Sequence, residues 1–237
     1  MSFQLIKNKL THIAHLLQPS CCNFCQRRQS EPICSSCLSE LKENLNYRQC
    51  LICGRPHLSW VCQSCHTAGW AFDQTVALAN ETSRLVPCVK AFHLHGHIAQ
   101  LAVIQYAWAI IKHPKMAPVD LIIPFPENLK VSQSRGFWSA LELAKTWSKL
   151  SKSPYCRELI TATPHPLAQK KDVATLSFQM NVEIISTLPI TNFRIAIILP
   201  YMQRPHQLHE IAKILKNYGA RSVINWVLIR DSSKENM

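Results

Sequence analysis

Glycine is scarce in this chain. Only five of 237 residues are glycine, at positions 54, 69, 96, 136 and 219. No G-x-x-x-x-G-K-[ST] segment occurs, which excludes a nucleotide-hydrolysing phosphate loop. H-E-x-x-H and G-x-S-x-G are absent too, so the usual zinc-protease and α/β-hydrolase signatures are missing. Acidic residues are few: 14 Asp and Glu face 26 Lys and Arg, a formal charge of +12. Long apolar runs are lacking as well. Leu101 to Ile111 is the longest candidate. It contains Gln105 and falls well short of the ~20 residues that cross a bilayer. Near the start, Lys7, Lys9, His12 and His15 interrupt the apolar residues, so no signal-peptide core forms. These absences set the expectation of a cytoplasmic chain with no membrane span.

Cysteine is what the chain has in excess. Cys22 and Cys25 are followed by Cys34 and Cys37, and Cys50 and Cys53 by Cys62 and Cys65. Each member of the second set lies 28 positions after its counterpart, so a whole ligand set is repeated. Four thiolates form the closed tetrahedral shell of a structural Zn²⁺, and two C-x-x-C steps separated by a short spacer bring them to one ion. The expectation is two Zn²⁺ ions. Pairing within each 28-residue unit is the simple arrangement, and a cross-braced one, with the first and third pairs sharing a metal, is the alternative. His57 and His66 lie near enough to ligate, but the thiol shells are already full. Cys21 would make a longer C-x-x-x-C step than Cys22. Disulfides need an oxidising compartment, and a redox C-x-x-C would not be repeated four times. Cys21, Cys88 and Cys156 remain, with no evident pairing.

Charge is unevenly spread. Residues 1–72 hold seven basic and three acidic residues, and two Zn(Cys)4 centres of charge −2 each would neutralise that surplus. Residues 73–237 hold 19 basic and 11 acidic residues. A basic surplus of this kind favours polyanionic partners.

The apolar periodicity predicts an amphipathic helix over residues 3–17, ending before Pro19. Three regions follow: an N-terminal helix (1–19), a double zinc ribbon (20–70) and a larger domain (71–237). In the larger domain, strands are expected at 74–79, 120–124, 156–161, 194–199 and 222–229. Helices are expected over 84–113, broken at Gly96, and at 137–150 and 206–218, the last closed by Gly219. Strands alternating with helices argue for an α/β fold with a parallel sheet. Trp60 and Trp70 flank the second cysteine unit, where they either stack on bases or fill the small core of a ribbon. His93, His95 and His97 alternate but have no acidic ligand nearby, which favours a loop or cap role.

Taken together, the doubled cysteine array and the segments V-K-A-F-H-L-H-G (89–96), D-L-I-I-P-F-P (120–126) and R-G-F-W-S-A (135–140) resemble the ComF-type competence proteins. Gln169, Asn181-Val182 and Gly219-Ala220 add to the likeness. The resemblance implies a double zinc ribbon joined to a phosphoribosyltransferase-like, Rossmann-like parallel sheet. It also implies a role in DNA uptake, with single-stranded DNA or a helicase-like ATPase as partner. In that family an Asp-Asp-x-x-Thr-Thr-Gly-x-Thr loop follows the strand ending near 198 and helps bind phosphoribosyl pyrophosphate (PRPP). Here the loop reads L-P-Y-M-Q-R-P-H-Q (199–207), with no carboxylate, no glycine and a proline that removes an N–H. Trp138 and Phe178 also depart from the family pattern. The expectation is a scaffold without PRPP transfer and without catalytic residues. The alternatives are an active transferase and a zinc-ribbon scaffold for a protein partner. Lys90, Arg135, Arg204 and His206 are the candidate anion or nucleic-acid contacts, the last two favoured by a helix start. Taken singly, each reads as a solvated surface charge.

Overall fold

The computed structural model describes residues 21–45, 47–111, 117–127, 129–164, 180–184, 188–203 and 205–233. The expected helix at 3–17 lies outside them. The cysteine region carries two helices that the periodicity did not suggest, α1 (Ser35–Leu45) and α2 (Gln63–Ala68). Then come β1 (Gln74–Asn80), α3 (Leu85–His95), α4 (Gln100–Ile110), β2 (Leu121–Pro124), α5 (Leu129–Arg135) and α6 (Ser139–Ser151). β3 (Ile160–Pro164), β4 (Met180–Ile184), β5 (Arg194–Met202), α7 (His206–Asn217) and β6 (Ser222–Arg230) complete the order.

Four strands form a parallel sheet in the order β1-β6-β5-β2, with helices on both faces. The strands read as nearly unbroken apolar runs because both faces are buried. Side chains alternate between the faces with period two. Val76, Leu78, Ile122, Ala196, Ile198, Ile224 and Trp226 meet α3, α4 and α6. Ala77, Leu121, Ile123, Ile195, Ile197, Val223 and Val227 meet α7, which buries Leu208, Ile211, Ala212 and Leu215. On α6, Ala140, Leu143, Ala144 and Trp147 recur at helical spacing and are buried. The Trp147 ring meets Trp108 of α4 edge-on at 4.5 Å between centroids. The expected break at Gly96 is present: this residue caps α3 at φ 72.

Two expectations change. The strand placed at 156–161 is not a fifth parallel strand. Residues around Tyr155 make an isolated parallel bridge to Ile122, and Ile160–Pro164 pairs antiparallel with Met180–Ile184 in a separate hairpin. β5 also runs past 199 to Met202, because β6 continues to pair with it as far as Met202↔Arg230.

Both cysteine units are built into the larger core. Cys22, Ile33 and Leu41 belong to the same apolar cluster as Val76 and Trp226. The second unit closes the free edge of β1. Thr75 N donates to Leu51 O at 2.9 Å, and Ala77 N donates to Gln49 Oε1 at 3.2 Å. Open strand edges invite pairing with other chains, and this cover removes that liability.

Gly54 sits where the second unit meets β1. Its φ is 73, and a Cβ there would lie 2.8 Å from Thr75 Cγ2. Gly54→Ala is therefore expected to destabilise the fold by about 1–3 kcal/mol, a fall in Tm of roughly 5 °C. Gln26 holds the matching position of the first unit at φ 60, and Gln26→Gly should raise or preserve Tm. Thermal unfolding of the two variants beside the parent checks both signs.

Candidate metal centres and the strand-end site

The two cysteine units fold alike. Cys22 N donates to Arg27 O and Cys50 N to Arg55 O, each at 2.8 Å and exactly one repeat apart. The bridges Cys21↔Arg28 and Gln49↔Pro56 keep the same offset, as do the starts of α1 and α2. Each C-x-x-C step turns its N–H groups onto sulfur. Phe24 N and Cys34 N reach Cys22 Sγ at 3.4 Å, and Cys62 N reaches Cys50 Sγ at 3.3 Å. Within each unit the four sulfurs all lie within 4.8 Å of one another. The cysteines are thus gathered unit by unit, and the described residues show no cluster that joins the first and third pairs. Cys21, His57 and His66 belong to neither group.

The electrostatics suit a cation at each centre. Burial pushes the Cys22 thiol up, but N–H donors from Cys25, Cys34 and Phe24 outweigh it and bring it down to about 6. Burial and the neighbouring sulfurs push Cys37 up to about 12. In the second unit a hydrogen bond from Cys53 brings Cys50 down to about 4, while the same contact and burial drive Cys53 up. Burial takes Cys65 up to about 12. Four thiols this close cannot all ionise without a positive charge between them. Four soft sulfur donors fit a tetrahedral metal ion of the zinc type.

Each centre also has an arginine beside it. Arg84 donates to Glu40 at 2.5 Å, lies 4.0 Å from Cys37 Sγ and stands over the Phe24 ring. Arg230, 0 % exposed, donates through Nε to Cys53 O at 2.8 Å. Its Nη1 donates to Gln203 O at 3.0 Å and Asp231 O at 2.6 Å. Arg230 therefore ties the second centre to the end of β5. Sequence reasoning missed it, because a charged residue closing an apolar strand normally marks the surface.

The exit ends of β5 and β6 hold the other predicted residues. At the expected position of paired carboxylates, Leu199 and Pro200 are buried within a continuing strand. Tyr201 OH donates to Asp231 Oδ2 at 2.8 Å, and Gln203 Nε2 donates to the same oxygen at 3.3 Å. Lys90 is exposed on α3, with Nζ 5.9 Å from the Tyr201 ring centroid. His206 begins α7, where its ring meets Trp70 edge-on. Arg204 lies outside the described residues.

Arg135 closes α5 and points inward. Its guanidinium pairs with Glu127 and donates to His93 O. It also lies 3.2 Å from His93 Nδ1, which meets Ser139 Oγ at 2.8 Å. Two donors at Nδ1 leave the proton on Nε2. Burial first, and then the Arg135 charge, hold His93 down at about 4. Glu127 is raised by burial against the opposing pull of Arg135. Of the three alternating histidines, only His93 enters the fold; His95 and His97 stay exposed. Trp70 stacks on Phe72 inside, whereas Trp60 is 70 % exposed beside Leu58 at 86 %.

No family model matches the chain, and no curated protein matches it. Similar solved structures are phosphoribosyltransferases and related enzymes. One is the glutamine PRPP amidotransferase from B. subtilis complexed with ADP and GMP, with 12% identity over 52% of this chain and a TM-score of 0.34. Another is an allosteric regulatory enzyme of purine biosynthesis, with 14% identity over 53% of this chain and a TM-score of 0.35. The purine phosphoribosyltransferase from Pyrococcus horikoshii Ot3 shows 14% identity over 56% of this chain and 83% of its own length, with a TM-score of 0.37. The chain spans about a quarter of the length of the first two, at 25% and 24%. At such identities and scores the likeness carries no argument about activity.

Cys53→Ser is expected to lower bound metal from two equivalents to one and to destabilise the second unit, because metal binding is folding energy there. Metal analysis of the purified variant reads this directly, and two retained equivalents would contradict the ligand set. His93 gives a pH prediction. Its pKa in the fold is about 4 against an ordinary 6.5. Above pH 6.5 both folded and unfolded chains hold it neutral, and its contribution is complete. As pH falls from 6.5 toward 4, the unfolded chain takes up a proton that the fold refuses, and roughly 3 kcal/mol is lost. His93→Gln should flatten the stability curve in that window. Urea unfolding of both proteins at stepped pH measures the difference, in which acid loss of metal cancels.

Proposed function

We propose that this chain is a cytoplasmic nucleic-acid-binding accessory protein of the DNA-uptake type. In this reading it handles single-stranded DNA, alone or beside a helicase-like ATPase, and has no transferase chemistry of its own. Residues 20–70 act as a double zinc ribbon and residues 71–237 as a phosphoribosyltransferase-like scaffold. Cys22, Cys25, Cys34 and Cys37 would hold one Zn²⁺, and Cys50, Cys53, Cys62 and Cys65 the other. A shell of four thiolates leaves no open position, so each metal would be structural.

One observation carries the loss of PRPP chemistry: β5 continues through Leu199–Met202, paired with β6 and tied by Arg230, where a ribose diol would need carboxylate acceptors. The basic surplus beyond residue 72 supports a polyanionic partner. Lys90 and His206 remain on the surface at the strand ends, while the Arg135 charge is met internally by Glu127.

Calorimetry of the zinc-loaded chain with PRPP and Mg²⁺ is expected to show no binding heat at micromolar concentration. Labelled single-stranded DNA is expected to bind with an affinity that falls steeply as salt rises. Micromolar PRPP binding would restore the transferase reading, and DNA binding that ignores salt would remove the backbone contact.

A further inference from the structure

The entry ends of β2, β5 and β6, opposite Tyr201 and Arg230, form a second feature. An open trough of about 630 Å³ crosses them, lined in part by Asp120, Lys152, Asn192, Arg194 and Arg221. None of these residues belongs to the candidate sites above.

Backbone hydrogen bonds hold the floor of the trough. Asn192 N donates to Gly219 O, Arg221 N to Phe193 O and Asp120 N to Arg194 O, each at 2.8 Å. Arg194 N returns a bond to Asp120 Oδ2, also at 2.8 Å. Gly219, at φ 94, lets the two turns close, since a Cβ there would lie 3.2 Å from Thr191 Oγ1. The backbone that displays the cations is thus already ordered.

The side chains above this floor meet little opposite charge among the described residues. Lys152, Arg194 and Arg221 line the trough, and Asp120 is the one carboxylate among its lining residues. One Asp120 oxygen is taken up by the Arg194 N–H. None of the three cationic side chains makes a hydrogen bond or ion pair with a described residue. Lys152 and Arg221 are exposed, and Arg194 is half-buried. Like charges gathered on one rigid floor repel, and their N–H groups are donors that ligand oxygens can accept. An oxyanion-rich ligand answers both demands. An open trough suits a chain that passes through it better than a small molecule that must be enclosed.

We infer that this trough binds the phosphodiester backbone of a single-stranded nucleic acid, with Lys152, Arg194 and Arg221 each meeting a phosphate. The inference rests on the nucleic-acid reading above and adds a contact zone at the far end of the sheet from the residues to which the sequence pointed. Its ordered backbone lowers the entropy lost when a strand docks.

The test is fluorescence anisotropy of a labelled oligothymidylate with the zinc-loaded full chain across a salt series. Lys152→Ala/Arg221→Ala is expected to raise Kd about tenfold at 0.1 M salt and to reduce the log–log salt slope by about 1.4, at 0.7 per lost contact. Lys42→Ala, which removes a cation of α1, should leave both unchanged. Both altered side chains in the double variant are exposed, so its Tm should match the parent. If it binds DNA with parental affinity and slope, the trough assignment falls and the nucleic-acid reading stands. If the parent chain binds no DNA, both fall. Displacement of the oligonucleotide by micromolar tripolyphosphate would assign the trough to free oligophosphates and overturn the backbone contact.

Discussion

Four sulfurs within 4.8 Å of one another are a constraint before they are a site. Ionising all of them concentrates four negative charges in a space the size of one ion, and backbone donors relieve only part of the repulsion. Backbone N–H donors pull Cys22 down, while burial first and then the neighbouring sulfurs push Cys37 up, so the four thiols do not share one proton affinity. A divalent cation at each centre would remove the conflict and close each knuckle, adding to the order that its own hydrogen bonds give.

That order extends into the larger fold. The second unit covers the outer edge of β1 through Leu51 and Gln49, and Arg230 links the Cys53 carbonyl to the end of β5. A fully buried arginine is tolerable because its donors are spread over main-chain carbonyls rather than left unpaired. The first unit contributes Ile33 and Leu41 to the face that also holds Trp226. A metal held at either centre would therefore act beyond its own loop, on the sheet edge on one side and on the helix-covered face on the other.

The two ends of the sheet differ in chemistry. At the exit end, polar groups are largely engaged with one another: Tyr201 and Gln203 with Asp231, and Arg135 with Glu127 and His93. At the entry end, three cations stand over a hydrogen-bonded floor with little acid to oppose them. A net charge shows that a surplus exists. Which cations are neutralised internally and which face solvent is a matter of packing.

Much of the architecture was legible in the residues. The 28-residue repeat gave both cysteine clusters because their spacing is local in the chain. The runs at 120–124, 194–199 and 222–229 announced buried parallel strands because burial on both faces removes the polar alternation. Helices α6 and α7 followed from 3.6-residue periodicity. α1 begins inside the cysteine array, which masked its pattern, and short α2 and α5 carried too little pattern to be seen. The β3–β4 hairpin depends on a partner strand more than a dozen residues away, and the length of β5 on continued pairing with β6. In sequence Arg135 read as an anion contact or a solvated charge, and Arg230 was not singled out. Only the tertiary structure decided that both turn inward, because their counter-groups, Glu127 with His93 O in one case and the carbonyls of Cys53 and Gln203 in the other, come from elements that folding brings together.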